Sequence, residues 1–176
     1  MSFEQPQSIR TVFFDAGFTL VHPKPSMLEI CQQVCAKLDL HLRLDQLRDR
    51  MRDAEDFFLR QSRQRRHLWS NEDMINEFWL DYYTNLLRPF VEEHDEKRLT
   101  ELANAIVIEF DQHTSWQLYP DVIETLETLK AHDYILGVIS DWGISLGSIL
   151  RHLGVTRYFD TLIISAATRY AKPSAQ

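Results

Sequence analysis

Hydrophobic residues change their spacing twice along the chain, which divides it into three stretches. The first is short: an apolar, β-prone run at residues 11–14 ends at Asp15. This pattern predicts a buried parallel strand with a carboxylate at its carboxyl end. From about residue 21 to about residue 114 the apolar positions follow the 3.6-residue period of a helix. We expect this second stretch to be helical throughout.

Four amphipathic helices are predicted within the second stretch. Their apolar faces fall at residues 27–38, 44–54, 75–86 and 99–110. Ser70 with Asp73 resembles a capping box at the start of the third helix, and Pro89 should end that helix. Short connections between such helices indicate a small bundle.

Strands and helices alternate again from about residue 115. The pattern predicts strands at 134–139 and 161–165 and helices at 122–129 and 144–153, with Gly154 as the C-cap of the last helix. Alternation of this kind favours a parallel α/β sheet, which binds ligands beyond the carboxyl ends of its strands. Asp15 and Ser140 each lie at such an end, so neighbouring strands would bring them to one crevice.

The composition narrows the classes of partner. With 176 residues, 44% of them hydrophobic, the chain can form one core with an inserted subdomain. Its net charge of −7 disfavours general binding to nucleic acid or anionic membrane. The polar amino terminus lacks a signal-peptide pattern, and no apolar run of about 18 residues could span a bilayer. We expect a cytoplasmic protein with a small-molecule substrate.

The two cysteines, Cys31 and Cys35, lie four residues apart on one predicted helical face. A disulfide within one helical turn has poor geometry, and a zinc site would need further ligands nearby. We therefore expect two reduced, buried thiols that act as small hydrophobic side chains.

Three residues are candidates for chemistry. Asp15 could attack phosphorus or carbon to form an ester, or could simply cap a turn. Ser140 could hold a phosphoryl oxygen, or could be a helix N-cap. Lys172 could neutralise charge on a transferring group, or could lie in solvent. Taken singly, these residues leave both interpretations open.

The order and surroundings of these residues resemble the haloacid dehalogenase-like superfamily. Residues 12–20 read VFFDAGFTL, residues 136–142 read LGVISDW, and residues 171–173 read AKP. The family has an apolar strand ending in Asp-x-x-x-Thr-Leu, a second ending in Ser or Thr, and a Lys-Pro after the next strand. The resemblance implies a Rossmann-like parallel sheet core at 1–20 and 115–176, incomplete at its carboxyl-terminal end, with a four-helix cap inserted at 21–114.

The resemblance also assigns roles to individual residues. It implies that Asp15 is the nucleophile, that Ser140 binds the phosphoryl group and that Lys172 steadies the nucleophile and the developing charge. Thr19, in the flap after the nucleophile, and Asp141, beside Ser140, are the candidate substrate-binding residues. A cap of this kind closes over the site and implies a small substrate.

One departure from the family pattern concerns proton transfer. The implied cofactor is Mg²⁺, with the Asp15 carboxylate and the Gly17 carbonyl as ligands. Family phosphatases usually have a second Asp at the position of Gly17 as general acid and base, and a glycine cannot protonate a leaving group. The branch that cleaves carbon–halogen bonds also lacks this Asp. Phe18 stands where the family usually has a glycine.

A second departure concerns the fourth motif, a pair of acids that holds Mg²⁺ in the family. It has no counterpart before the sequence ends, four residues after Lys172. Without the strand that carries those acids, residues 11–14 would form an open apolar edge, which invites self-association. We hypothesise that the sequence is a fragment.

These observations predict a capped hydrolase that works through an aspartyl ester, as a phosphatase acting on a small phosphate monoester. Two alternatives stay open. One is a metal-independent hydrolase of the dehalogenase type, which Gly17 favours. The other is a non-catalytic relative that acts as a binding or regulatory protein, because the metal-binding acids are missing.

Two groups of side chains in the helical stretch have more than one interpretation. We expect the basic residues of this stretch to form a solvated helix face that pairs with acidic residues. These residues are Arg48, Arg50, Arg52, Arg60, Arg63, Arg65 and Arg66. Two alternatives are a patch that binds nucleic acid and a single arginine that binds an anionic substrate. Five aromatic residues should form mostly bundle core, with one or two at the substrate pocket. They are Trp69, Phe78, Trp79, Tyr82 and Tyr83.

Overall fold

Strands and helices follow one another in the order expected of an α/β protein. The computed structural model describes residues 10–65 and 67–174. The strands in these ranges are Thr11–Phe14 (β1), Val21–Pro23 (β2), Trp116–Leu118 (β3), Ile135–Ser140 (β4) and Thr161–Ile164 (β5). The α-helices are Met27–Lys37 (α1), Leu44–Gln64 (α2), Glu72–Leu87 (α3), Glu96–Phe110 (α4), Val122–Ala131 (α5), Leu146–His152 (α6) and Ser165–Thr168 (α7). Among them, no helix has the length and apolar character needed to cross a bilayer.

Three strands form a parallel sheet in the order β1-β4-β5. In this register Phe14 of β1 pairs with Val138 of β4, and Ser140 of β4 pairs with Ile164 of β5. All three carboxyl ends therefore meet at one edge of the sheet, where Asp15 follows β1. The predicted fold class is confirmed, and Gly154 follows α6 with a φ of 75°, as expected of a C-cap glycine.

The two faces of this sheet differ. On one face Leu136 and Val138 are buried in a cluster with apolar residues of α5 and α6. On the other face Phe13 and Ile135 are 50% and 49% exposed. Within the described residues β1 is an outer strand, so the expected open apolar edge is present there. Self-association through this edge stays a prediction.

The four helices α1 to α4 pack around a hydrophobic core of their own. Both Cys31 and Cys35 are free and buried in it, as predicted, and burial raises the pKa of the Cys35 thiol to about 11. The bundle begins with a capping box in which the Glu29 N–H donates to Ser26 Oγ and the Ser26 N–H donates to Glu29 Oε2. Helix α3 ends at Leu87, before Pro89, as expected.

The predicted capping box of Ser70 with Asp73 was wrong. Residues Leu68–Ser70 form a 3₁₀ turn, and the Ser70 hydroxyl donates to the His67 carbonyl at 2.8 Å. Asn71 adopts the extended backbone of an N-cap instead, and its side-chain oxygen accepts from the Met74 N–H at 3.1 Å. A one-residue shift thus moves the cap of α3 from a serine to an asparagine.

The expectation that residues 21–114 are helical throughout was wrong at its first residues. Val21–Pro23 is β2, which pairs antiparallel with β3, so that His22 lies opposite Gln117. A strand of three residues is too short to show a period of its own in the sequence. The two chain segments that enter and leave the helical stretch therefore run side by side as a ribbon. We keep the division of the chain at residues 21 and 114 as a proposal.

Candidate active site

The carboxylate of Asp15 is held by two side chains from distant parts of the chain. Ser140 Oγ donates to Asp15 Oδ1 at 2.9 Å, and Lys172 Nζ donates to the same oxygen at 2.8 Å. Lys172 Nζ is also 3.2 Å from the Ile139 carbonyl oxygen. Among the described residues Oδ2 of Asp15 accepts no hydrogen bond, so this oxygen is the one that can act on a ligand.

The sheet and the segment after α7 explain this convergence. Pairing of β1 with β4 brings Asp15 beside Ser140, whose side chain is only 2% exposed. Lys172 follows α7, and its backbone N–H donates to Asp141 Oδ1 at 3.0 Å, which fixes the residue over the strand ends. Burial raises the pKa of the Asp141 carboxyl, although the Lys172 N–H and ammonium act to lower it.

Gly17 lies against the ring of Trp142. A Cβ added at Gly17 would lie 3.0 Å from Trp142 Cζ3, so that a larger residue there would have to displace the ring. The backbone of Trp142 is fixed by Ser165, whose Oγ accepts from the Trp142 N–H at 3.0 Å and lies 3.3 Å from its carbonyl oxygen. The Trp142 ring thus fills the space beside Gly17, two residues after the candidate nucleophile Asp15.

The turn after Gly17 carries the flap residues. Phe18 has a φ of 55°, in the left-handed region that favours glycine, which accounts for the glycine usual in the family at this place. The Phe18 side chain is 70% exposed and stands at the rim of the cavity described next. Thr19 is exposed and lies outside the lining of that cavity.

A cavity of about 430 Å³ lies between the helical bundle and the strand ends. Aromatic rings form much of its wall, and all four tryptophans of the chain take part. The aromatic lining residues are Phe18, Phe58, Trp69, Trp79, Tyr83, Phe110, Trp116 and Trp142. This volume suits a small organic molecule, and the wall suits an apolar one.

Among the described residues, acids make up four of the five charged side chains of the cavity lining, beside the polar Asn76, Ser140 and Ser145. Glu72 reaches from the first turn of α3 to the loop after β4, where its Oε2 accepts from the Ile144 N–H at 2.9 Å. Ser145 Oγ is buried and makes no hydrogen bond with any described residue. The charged residues of the lining are Asp15, Glu72, Asp111, Asp141 and Lys172.

The described residues do not fit a self-contained Mg²⁺ site. In residues 10–65 and 67–174, no three His, Cys, Asp or Glu side chains are grouped so that they could hold a metal ion. Oδ1 of Asp15 already accepts from Ser140 and from the Lys172 ammonium, which is itself a cation beside this carboxylate. The proposed ligand pair of Asp15 and the Gly17 carbonyl supplies a single carboxylate, the lower end of the one or two that usually hold Mg²⁺ together with substrate phosphates.

The structure brings most of the predicted site residues together. Asp15, Gly17, Ser140, Asp141 and Lys172 all line the cavity, whereas Thr19 does not. Their predicted roles stay predictions. No described arginine lines the cavity, so the alternative in which one arginine grips an anionic substrate has no support among the residues described.

The predicted surface pairing and aromatic packing can be placed as well. Arg50 pairs with Asp53, and Arg65 pairs with Asp81, while Arg66 lies outside the described residues. Of the five aromatic residues predicted for the bundle, three reach the cavity and two stay in the core. Those at the cavity are Trp69, Trp79 and Tyr83, and those in the core are Phe78 and Tyr82.

Sequence reasoning missed Glu72, Trp142 and Ser165. Glu72 looks like an ordinary acid in the first turn of a helix, where the helix dipole favours it. Trp142 and Ser165 follow predicted strands, and position alone could have marked them as neighbours of the strand ends. The contact between Glu72 and Ile144 has no local signal in the sequence.

Comparison with known proteins gives consistent matches. A family model described as haloacid dehalogenase-like hydrolase matches residues 9–176. The chain is 30% identical over 105 residues to haloacid dehalogenase-like hydrolase domain-containing protein 3 of zebrafish (Danio rerio). That match covers 58% of this chain and 42% of the zebrafish protein, so the matched stretch spans less than half of that relative.

Solved structures share the fold over nearly the whole chain. A HAD-hydrolase of Bacillus subtilis bound to magnesium matches with a TM-score of 0.68 and 16% identity, covering 96% of this chain and 70% of that one. L-2-haloacid dehalogenase of Xanthobacter autotrophicus with chloropropionic acid covalently bound matches with a TM-score of 0.54 and 22% identity, covering 94% and 60%. Structures described as phosphatases match as well. At these identities the likeness establishes the fold.

Proposed function

The chain belongs to the haloacid dehalogenase-like hydrolase family, and from this premise we propose that its Asp15 forms an ester with a small organic substrate, which water then cleaves. The observation that carries the proposal is that the two oxygens of the Asp15 carboxylate differ in their hydrogen bonds. Oδ1 accepts from Ser140 and Lys172, whereas Oδ2 has no hydrogen bond to a described residue. A carboxylate oriented in this way presents one oxygen for nucleophilic attack.

We propose a carbon–halogen bond as the bond that is cleaved. Oδ2 of Asp15 attacks the carbon, the new C–O bond forms as the carbon–halogen bond breaks, and the halide leaves with the bonding electrons. Water then adds to the carboxyl carbon of the ester. The acyl C–O bond breaks, the alcohol leaves and the Asp15 carboxylate returns. The sum is organic halide plus water giving alcohol, halide and one proton.

Two features of the site support this choice of bond. A halide leaves without a proton, so the reaction has no need of an acid side chain at Gly17, where the Trp142 ring takes up the space. The aromatic wall suits the apolar body of an organic halide.

A phosphatase acting on a small phosphate monoester is the second candidate. The Ser140 hydroxyl and the Lys172 ammonium next to Asp15 favour it, since both can donate to phosphoryl oxygens. Without an acid at Gly17, we expect such a reaction to be slower by about 10²–10⁴-fold. Its Mg²⁺, which the family implies, would need carboxylates other than those described here.

A single-turnover experiment in water labelled with heavy oxygen tests the ester. The substrate is α-bromohydrocinnamamide, an activated and uncharged organic bromide. If the ester forms, mass spectrometry finds the label in the peptide that contains Asp15 and not in the first equivalent of alcohol. Label in the first alcohol would mean that water attacks the carbon directly, which would overturn the proposal.

Asp15→Asn should lower halide release by at least about 10³-fold, as removal of a catalytic nucleophile does. Asp39→Asn is the matched control, because Asp39 is exposed in the turn after α1, does not line the cavity, and has a φ of 57° that asparagine tolerates. Turnover of an aryl phosphate with Mg²⁺, lost in Asp15→Asn, would establish the second candidate. Turnover of neither substrate would leave the chain as a non-catalytic relative.

A further inference from the structure

The charges on the cavity wall are strongly unequal. Four carboxyl groups line it against a single ammonium, Lys172. That ammonium is already paired with Asp15 at 2.8 Å. Lys172 also acts on Asp141, and no other described cation lines the cavity, so the negative charge of Glu72 and Asp111 is left without a counter-charge among the described lining residues.

Glu72 lies in the cavity wall where the bundle meets the loop after β4. It is anchored on α3 in the bundle, yet its carboxylate accepts the Ile144 N–H at 2.9 Å from the loop after β4. A Cβ at Gly143 would lie 3.0 Å from Glu72 Oε1, so the glycine makes room for this contact. This contact holds the Glu72 carboxylate at the place where the bundle meets the loop after β4, and Glu72 lines the cavity there.

The other groups of the wall favour an uncharged ligand. The four tryptophan rings offer flat apolar surface, on which aromatic bodies pack well. Ser145 Oγ is buried in the same wall and has no hydrogen-bond partner among the described residues. Because this oxygen is buried even in the empty cavity, it offers a ligand no contact, and the preference for an uncharged ligand rests on the tryptophan rings and the carboxylates.

We infer that the cavity takes uncharged substrates with an aromatic body, and that Glu72 is the specificity residue that rejects anionic ones. The inference rests on the proposed function for its reaction, though not for its binding. It separates this chain from the neighbour that holds chloropropionic acid, whose ligand is derived from an acid. Repulsion between the ligand's carboxylate and Glu72 is the physical cause.

Binding can be measured without catalysis, because every tryptophan of the chain lines the cavity and selectively excited tryptophan fluorescence therefore responds to a ligand bound there. The probes are hydrocinnamamide and hydrocinnamate, which have the same shape and differ in charge. We expect the full chain to bind the amide at least about tenfold more tightly, as expected for a like-charge contact across an interface.

Glu72→Gln removes the charge and keeps an acceptor for the Ile144 N–H. We expect it to raise the affinity for hydrocinnamate about tenfold and to leave that for hydrocinnamamide within about threefold. Asp73→Asn, an exposed acid of the same helical turn, is the matched control and should change neither affinity. Circular dichroism of each variant checks that the fold is kept.

The outcomes separate this inference from the proposed function. Equal binding of both probes by the unmodified chain, binding of neither, or an unchanged ratio in Glu72→Gln would overturn the inference. If the charge preference is found but α-bromohydrocinnamamide is not hydrolysed, the proposed reaction fails and the inference stands. If bromide is released from the amide and from α-bromohydrocinnamate at equal rates, the reaction stands and the inference fails.

Discussion

The helical bundle and the sheet of the core bury their apolar residues to different extents. In the bundle, 15 residues form one buried cluster, and Leu59 and Ile108 are the large apolar side chains left exposed among those described. The sheet region buries a cluster of 12, but most of the exposed large apolar side chains lie there. They include Phe13, Ile135, Leu162 and Tyr170.

The difference shows that the bundle has a hydrophobic core of its own, whereas the candidate catalytic residues lie in the sheet region, which leaves more apolar surface exposed. The bundle encloses its own core, as four amphipathic helices can. The sheet holds Asp15, Ser140 and Lys172 at its strand ends, but on one of its faces Phe13 and Ile135 are about half exposed, and the Phe13 ring lies against Gly137. We therefore expect the free energy of unfolding to be sensitive to loss of core volume in the bundle and to changes in the contact between Phe13 and Gly137 in the sheet.

The largest effect is expected in the bundle. Phe78 is fully buried, with its ring centroid 5.1 Å from that of Trp79 and 5.4 Å from that of Trp69. We expect Phe78→Ala to lower the free energy of unfolding by about 3–5 kcal/mol, because the cavity left behind cannot be refilled. Denaturant titration followed by circular dichroism measures it.

Ile108→Ala on α4 is the control, since this side chain is 61% exposed, and it should stay within about 0.5 kcal/mol of the unmodified chain. If Phe78→Ala cost no more than this control, the description of the bundle as the region with a hydrophobic core of its own would be wrong.

The second effect concerns the face of the sheet on which Phe13 and Ile135 are about half exposed. A Cβ at Gly137 would lie 2.5 Å from Phe13 Cε1 and 2.8 Å from Thr161 Cγ2. Gly137→Ala should therefore cost about 1–3 kcal/mol through overpacking. Adding Phe13→Ala should recover part of this loss, because the ring that meets the new methyl group is gone and the Phe13 side chain is half exposed.

Thermal or denaturant unfolding of the two single variants and the double variant closes a mutant cycle. Strictly additive losses would show that the Phe13 ring and residue 137 do not compete for the same space.

The smallest effect concerns the first turn of the bundle. Ser26→Ala removes the N-cap of α1 and should cost about 1 kcal/mol. Hydrogen bonds from the Ser26 hydroxyl and then the Ser26 backbone N–H lower the pKa of Glu29. A lowered folded-state pKa adds stability above the unfolded-state value, and this is lost as the pH falls through the folded-state value.

Unfolding measured at neutral pH and at successively more acid pH checks the sign. The difference between the unmodified chain and Glu29→Gln should be seen at neutral pH and shrink toward the acid end. A difference that grew on acidification would contradict the assigned direction.

The sequence predicted regular elements well where a period was long enough to be seen. The strand at 11–14 was placed correctly, and the expected strand at 134–139 was found one residue later, as Ile135–Ser140. The Ser70 cap failed because two neighbouring residues can both cap a helix and tertiary packing chooses between them. The ribbon of β2 with β3 was missed because three-residue strands carry no readable period.

The site was predictable mainly on the side of the sheet. Asp15 and Ser140 lie at strand ends, and the topology of parallel sheets places such residues together. On the bundle side the sequence predicted only that one or two aromatic residues would reach the pocket, because which helical face turns to the core depends on how the bundle is docked. Glu72 therefore looked like a solvated acid, and the packing of Trp142 on Gly17 had no trace in the spacing of either residue.

The ribbon formed by β2 and β3 has a mechanical meaning. Both connections between bundle and sheet pass through it, and hydrogen bonds tie them into one strip. A two-stranded strip bends across its face more easily than within its plane, so this is the direction in which the ribbon would resist bending least. Pro23 and Trp116, at one end of this strip, also line the cavity. A change in the angle between the bundle and the sheet would therefore also move part of the cavity wall. The angle of the bundle and the shape of the cavity would change together.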